Sequence, residues 1–121
     1  MKKLPILNSG DFVEVIAPAS RCSDNQLQAL KELLESWKLN CIIKKDIFGE
    51  DLLCAHTDEA RFEHLKNALQ NPETKAVICA RGGYGSLRLI PKLTEIQAPK
   101  QVKIFVGMSD ITSLHLYLQQ Q

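Results

Sequence analysis

The sequence predicts an α/β fold: a doubly wound, mostly parallel sheet of about four strands with helices on both faces. Three observations carry that expectation. Short strand-length apolar runs alternate with segments of helical period along the chain. The run Ala76-Val77-Ile78-Cys79-Ala80 is apolar throughout, as a strand covered on both faces would be. Two loops, Arg81 to Ser86 and Gly107 to Asp110, stand where a strand ends and a helix begins, the position at which such sheets place their sites.

Each element has its own local reason. Phe12 to Ala17 is a β-branched run preceded by the turn residues Gly10-Asp11 and stopped by Pro18, which reads as a first strand. Ser23-Asp24 offers a helix start, and Leu27, Leu30, Leu33, Leu34 and Trp37 then recur at helical steps, predicting a core-facing stripe. Asn40 breaks that pattern, Cys41-Ile42-Ile43 reads as a second strand, and Lys44 to Thr57 reads mostly as loop. A second helix is expected over Asp58 to Asn71, with Phe62, Leu65, Ala68 and Leu69 as its apolar positions and Asn71-Pro72 as its stop. After the third strand, Leu87, Leu89, Ile90 and Leu93 suit a third helix that Pro91 kinks or shortens. Lys103 to Val106 reads as the fourth strand, and Ile111, Leu114, Leu116 and Leu118 supply a last helix.

Composition narrows the function classes. A chain of 121 residues, 45% hydrophobic and 24% charged, fits one globular domain over residues 1–121 with a single core. Its net charge of +1, with the basic residues spread along the chain, argues against nucleic acid as a partner. The apolar start is broken by Pro5, and no stretch is long enough to span a bilayer, so neither a secretory leader nor a membrane is expected. Cys22, Cys41, Cys54 and Cys79 lack a C-x-x-C pair, which favours free thiols in a reducing compartment over disulfides or a metal site. A cytoplasmic protein without cofactor or metal is the expectation.

Two loops could carry chemistry. Gly107-Met108-Ser109-Asp110-Ile111-Thr112 resembles a nucleophile elbow, though Ile111 stands where a second glycine belongs. On pattern alone Ser109 reads as a helix cap, with Asp110 complementing the helix dipole. Arg81-Gly82-Gly83-Tyr84-Gly85-Ser86 could be an anion-binding or a structural turn, and the phosphate signatures G-x-G-x-x-G and G-K-[ST] are incomplete. His115, six residues after Ser109, would be rotated away from it on a helix and is a poor general base. His56 and His64 read as exposed or structural, and Asp58, Glu59 and Glu63 as ordinary acids near a helix start.

Taken in order, Ala17-Pro18-Ala19-Ser20, Cys79 to Ser86 with Arg88-Leu89, and Gly107 to Thr112 with Leu114-His115 resemble the LD-carboxypeptidases, serine peptidases that include the microcin-immunity hydrolases. The resemblance spans nearly the whole chain and turns Ser109 from a cap into a nucleophile. It implies release of a terminal D-amino acid from an L-centred residue, typically D-alanine of a murein tetrapeptide during peptidoglycan recycling. It also implies an oxyanion held by the amide of Asp110 and that of Gly83 or Gly82. Met108 replaces the aromatic residue common there. The family's general base, a histidine supported by a glutamate, lies in a carboxy-terminal domain that would follow Gln121, so these residues alone are expected to be inactive. Arg81 or Ser86 could read the substrate carboxylate, and association into a homodimer is a further expectation. The alternative is a non-catalytic module that retains only folding or binding capacity.

Overall fold

The computed structural model describes residues 7–51, 54–82, 85–96, 103–107, 114 and 118. Its elements run β1 (Phe12–Ile16), α1 (Asp24–Ser36), β2 (Asn40–Ile43), α2 (Asp58–Gln70), β3 (Thr74–Cys79), a 3-10 turn (Ser86–Leu89), α3 (Ile90–Leu93) and β4 (Ile104–Val106). The four strands form one sheet in the order β2-β1-β3-β4, and every pairing is parallel.

β1 shows why the sheet is apolar on both sides. Val13 and Val15 pack with Leu34, Leu39, Ala76 and Ile78, on the face covered by α1. Ile16 packs with Leu65, Ala68, Leu69 and Val77, on the face covered by α2. Leu114, which is helical, is fully buried in that second cluster. Helices packed on both faces of a parallel sheet are the α/β arrangement that the alternation of periods predicts.

The helices obey local rules with two corrections. Ser23 and Gln26 form a capping box that starts α1, an arrangement worth about 1 kcal/mol. The expected core stripe of α1 is narrower than its leucines suggest: Leu34 is buried and Leu27 and Leu30 are partly covered, whereas Leu33 and Trp37 are 48% and 60% exposed. Leu33 sits about 100° round the helix from Leu34, and Trp37 is the C-cap, where Leu39 takes the inward place. The second correction concerns the third helix. Pro91 has no N–H with which to reach back to the carbonyl of Leu87, so the segment divides into a 3-10 turn and one helical turn with proline in its first positions. Leu89 and Leu93 are still buried as expected, and Leu87 is exposed.

α2 begins at Thr57, whose hydroxyl accepts from the Ala60 amide at 3.1 Å, and ends at Asn71 before Pro72. Among the described residues no cysteine is in a disulfide. No described helix is long and apolar enough to cross a membrane.

Strand order fixes where a site can form. β2 follows β1 on one side of it, and β3 lies on its other side, so the chain reverses its winding between β1 and β3. In doubly wound sheets, sites form at the carboxyl ends of the strands that flank such a reversal.

Candidate active site

The junction at this end of the sheet is built from backbone. Ala17, Pro18, Ala19 and Ser20 follow β1 and are buried. The Ala80 amide donates to the Ile16 carbonyl at 2.8 Å, extending the β1–β3 ladder by one step. Beyond it the Ser20 amide donates to the Gly82 carbonyl at 3.0 Å, so the glycine loop is joined directly to the loop after β1. The long loop before α2 folds back onto the same place, with the Ala55 amide donating to Ala19 at 2.8 Å and the Gly49 amide to Ala55 at 2.7 Å. Three loops therefore meet at the end of the sheet predicted to hold the site.

Of the predicted site residues, Gly82 is buried at this junction. Ser109, Asp110 and Gly83 lie outside the described residues, as do Met108 and His115. Gly107 directly follows β4, which pairs with β3, so the Gly107 loop starts at the same end of the sheet. Arg81 is exposed, and its Nη1 donates to the Arg21 carbonyl at 3.0 Å. Ser86 is fully buried at the start of the 3-10 turn.

The residue that organises the junction is one the sequence reading passed over. Arg61, in the second turn of α2, has a side chain with no exposed surface. Its Nη1 donates to the carbonyls of Pro18 at 2.8 Å and Gly85 at 2.9 Å, and its Nε to the carbonyl of His56 at 2.9 Å. Its Nη2 pairs with the Asp58 carboxylate, which also lies 3.8 Å from Arg88. Gly85 makes room for this cation. It has φ +107°, and a Cβ there would stand 2.5 Å from Cys54 Sγ and 2.8 Å from Arg61 Nη1. The signal was available: Arg61, Leu65, Ala68 and Leu69 fall at i, i+4, i+7 and i+8, which sets an arginine in the apolar stripe of α2.

Other reactive groups are occupied elsewhere or silenced. His56 is partly buried, and its Nδ1 accepts from the Thr57 amide at 2.8 Å. His64 is buried, and its Nε2 lies 3.3 Å from the Asp46 carboxylate, whose own ionised form this contact favours. Burial pushes the Cys79 thiol up to about 12 and raises those of Cys22 and Cys41, so these sulfurs stay protonated. Among the described residues no cluster of histidine, cysteine and acids could hold a metal ion.

Comparison with known proteins agrees with this geometry. The family profile of the LD-carboxypeptidase N-terminal domain matches residues 13–121. A carboxypeptidase-like protein of Rickettsia conorii is 40% identical over 111 residues, covering 90% of this chain and 34% of that protein. The murein tetrapeptide carboxypeptidase of Pseudomonas aeruginosa is 36% identical over 104 residues, covering 84% of this chain and 34% of the relative. The crystal structure of muramoyltetrapeptide carboxypeptidase from Oxalobacter formigenes superposes with a TM-score of 0.75 at 32% identity, covering 89% of this chain and 36% of that one. The chain thus spans about a third of the length of the curated relatives it matches.

Proposed function

This chain belongs to the LD-carboxypeptidase N-terminal domain family, and we propose that it carries the nucleophile and oxyanion-binding half of a cytoplasmic serine peptidase that trims murein tetrapeptide. The reaction is hydrolysis of the bond between an L-centred residue and a terminal D-amino acid, in peptidoglycan recycling. Ser109 attacks the scissile carbonyl carbon, and a histidine held by a glutamate in a carboxy-terminal domain takes its proton. The negative oxygen that forms is held by the amide of Asp110 and one from the glycine loop. Collapse of that intermediate expels the D-amino acid, whose amine receives the proton, and water then releases the acyl group from Ser109.

The observation that carries this reading is the joined pair of loops at the β1–β3 switch point, with the Ser20 amide fastened to the Gly82 carbonyl at 3.0 Å. The glycine-loop donor is the amide of Gly83 or of Gly82, in the loop that this hydrogen bond anchors. The names of the Pseudomonas and Oxalobacter relatives support murein tetrapeptide as the substrate.

A fluorophosphonate probe tests the assignment. Labelling is expected at Ser109 in a chain that includes the carboxy-terminal domain and not in the 121-residue chain alone, and Ser109→Ala abolishes both labelling and release of D-alanine. Turnover that survives Ser109→Ala would sink the reading.

A further inference from the structure

Arg61 is an expensive residue to keep where it is. A buried guanidinium is tolerated only when its N–H groups find acceptors. Here the acceptors are backbone carbonyls from three separate segments: Pro18 after β1, Gly85 at the end of the glycine loop, and His56 in the loop leading into α2. Carbonyl oxygens gathered that closely repel one another, and a planar cation with donors in a fixed fork is the group that holds them together. A single nitrogen, Nη1, spans the segment after β1 and the end of the glycine loop, at 2.8 Å and 2.9 Å. The Asp58 carboxylate at Nη2 fixes the plane of the fork.

We propose that Arg61 is a positioning residue for the reaction, setting the glycine loop against the β1 loop and, through it, the amide that receives the oxyanion. This rests on the reading of Ser109 as an acylating nucleophile. Because the glycine loop does its work only when the oxygen becomes negative, displacing it weakens the transition state more than the bound substrate. Misplacement by an ångström is enough to cost about 100-fold in rate.

The experiment compares wild type, Arg61→Met, Arg61→Lys and Asp58→Asn in the full-length protein, with kcat normalised to the number of sites that a fluorophosphonate titrates. Inhibition by a peptide boronate, whose tetrahedral adduct places an oxygen in the oxyanion position, is measured alongside. For Arg61→Met we expect kcat per site to fall about 100-fold, boronate affinity to weaken in step, and KM to move less than about 3-fold. Arg61→Lys, which keeps the charge and loses the fork, should recover part of the loss. A purely structural role predicts fewer titratable sites with wild-type kcat at each, and that result overturns the proposal. If Arg61→Met does not fold, Asp58→Asn decides: its side chain is 44% exposed, and a loss of kcat per site of about 10-fold supports the proposal, whereas wild-type kcat overturns it. A wild-type protein that cleaves no LD-peptide, or an active Ser109→Ala, breaks the functional reading instead.

Discussion

Arg61 and Glu14 are both charged side chains about 1% exposed, on the α2 side of the same sheet, and their surroundings differ sharply. All three guanidinium nitrogens of Arg61 have partners. One carboxylate oxygen of Glu14, Oε2, has none among the described residues, and neither has Nδ1 of the nearby His64. Position along the strand explains the contrast. Arg61 reaches the ends of strands, where backbone carbonyls have left the ladder and need donors. Glu14 sits in the middle of β1, between Ile42 of β2 and Val77 of β3, where the ladders on both sides already use the backbone amides a carboxylate would seek. Burial therefore pushes the Glu14 carboxyl up, and the charges of Lys44, Lys103 and His64 and a hydrogen bond from Asn71 offset only part of that. A buried charge is well held beyond the strand ends and bears its own desolvation cost in the middle of a strand.

The contrast predicts effects of different size and sign. Arg61→Met should lower stability by about 3 kcal/mol in urea unfolding, because it strands carbonyls and leaves Asp58 without its buried partner. An unchanged midpoint would mean that the junction holds without the cation. Gly85→Ala should cost about 2 kcal/mol by the same measurement, since φ of +107° strains any other residue and the added Cβ collides with Cys54 and Arg61. Stability equal to wild type there would show that the glycine loop can shift away from Arg61.

These two residues also mark what the sequence could tell. Strand runs, starts and stops were legible because each is a local rule: Ser23 starts α1, Pro72 stops α2 and Pro91 interrupts the third helix. The extent of the α1 stripe was not, because Leu33 and Trp37 have the right spacing and only packing against β2 and Leu39 decides which leucines go inside. The end of the sheet expected to hold the site followed from the βαβ pattern, and Gly82 lies at that end. Arg61 was missed because a polar residue in a helix is by default assigned to solvent. Its partners are carbonyls from Pro18 and Gly85, 43 and 24 residues away in sequence, and no local pattern announces them. Glu14 was passed over for the same reason within a β-branched run. A lone charge in an apolar stripe is the sequence feature that would have found both.

Glu14 supplies the smallest effect and the opposite sign. Folding raises its pKa above the ordinary 4.5, so between that value and the folded one the native state holds more protons than the unfolded state. Stability then falls as pH rises through that window, with the cost fully present above the folded pKa and absent below the unfolded one. Glu14→Gln removes the charge while keeping the shape and a polar group facing Asn71. At neutral pH it should stabilise the protein by about 1 kcal/mol, or about 4 °C in Tm, an amount set by desolvation of one poorly paired group. The gain over wild type should shrink as the pH is lowered and vanish below the ordinary carboxyl pKa. Thermal melts across that range would defeat the argument if Glu14→Gln were less stable than wild type at neutral pH, or if its advantage grew in acid, because either result would mean that the Glu14 charge, like that of Arg61, is held by the fold.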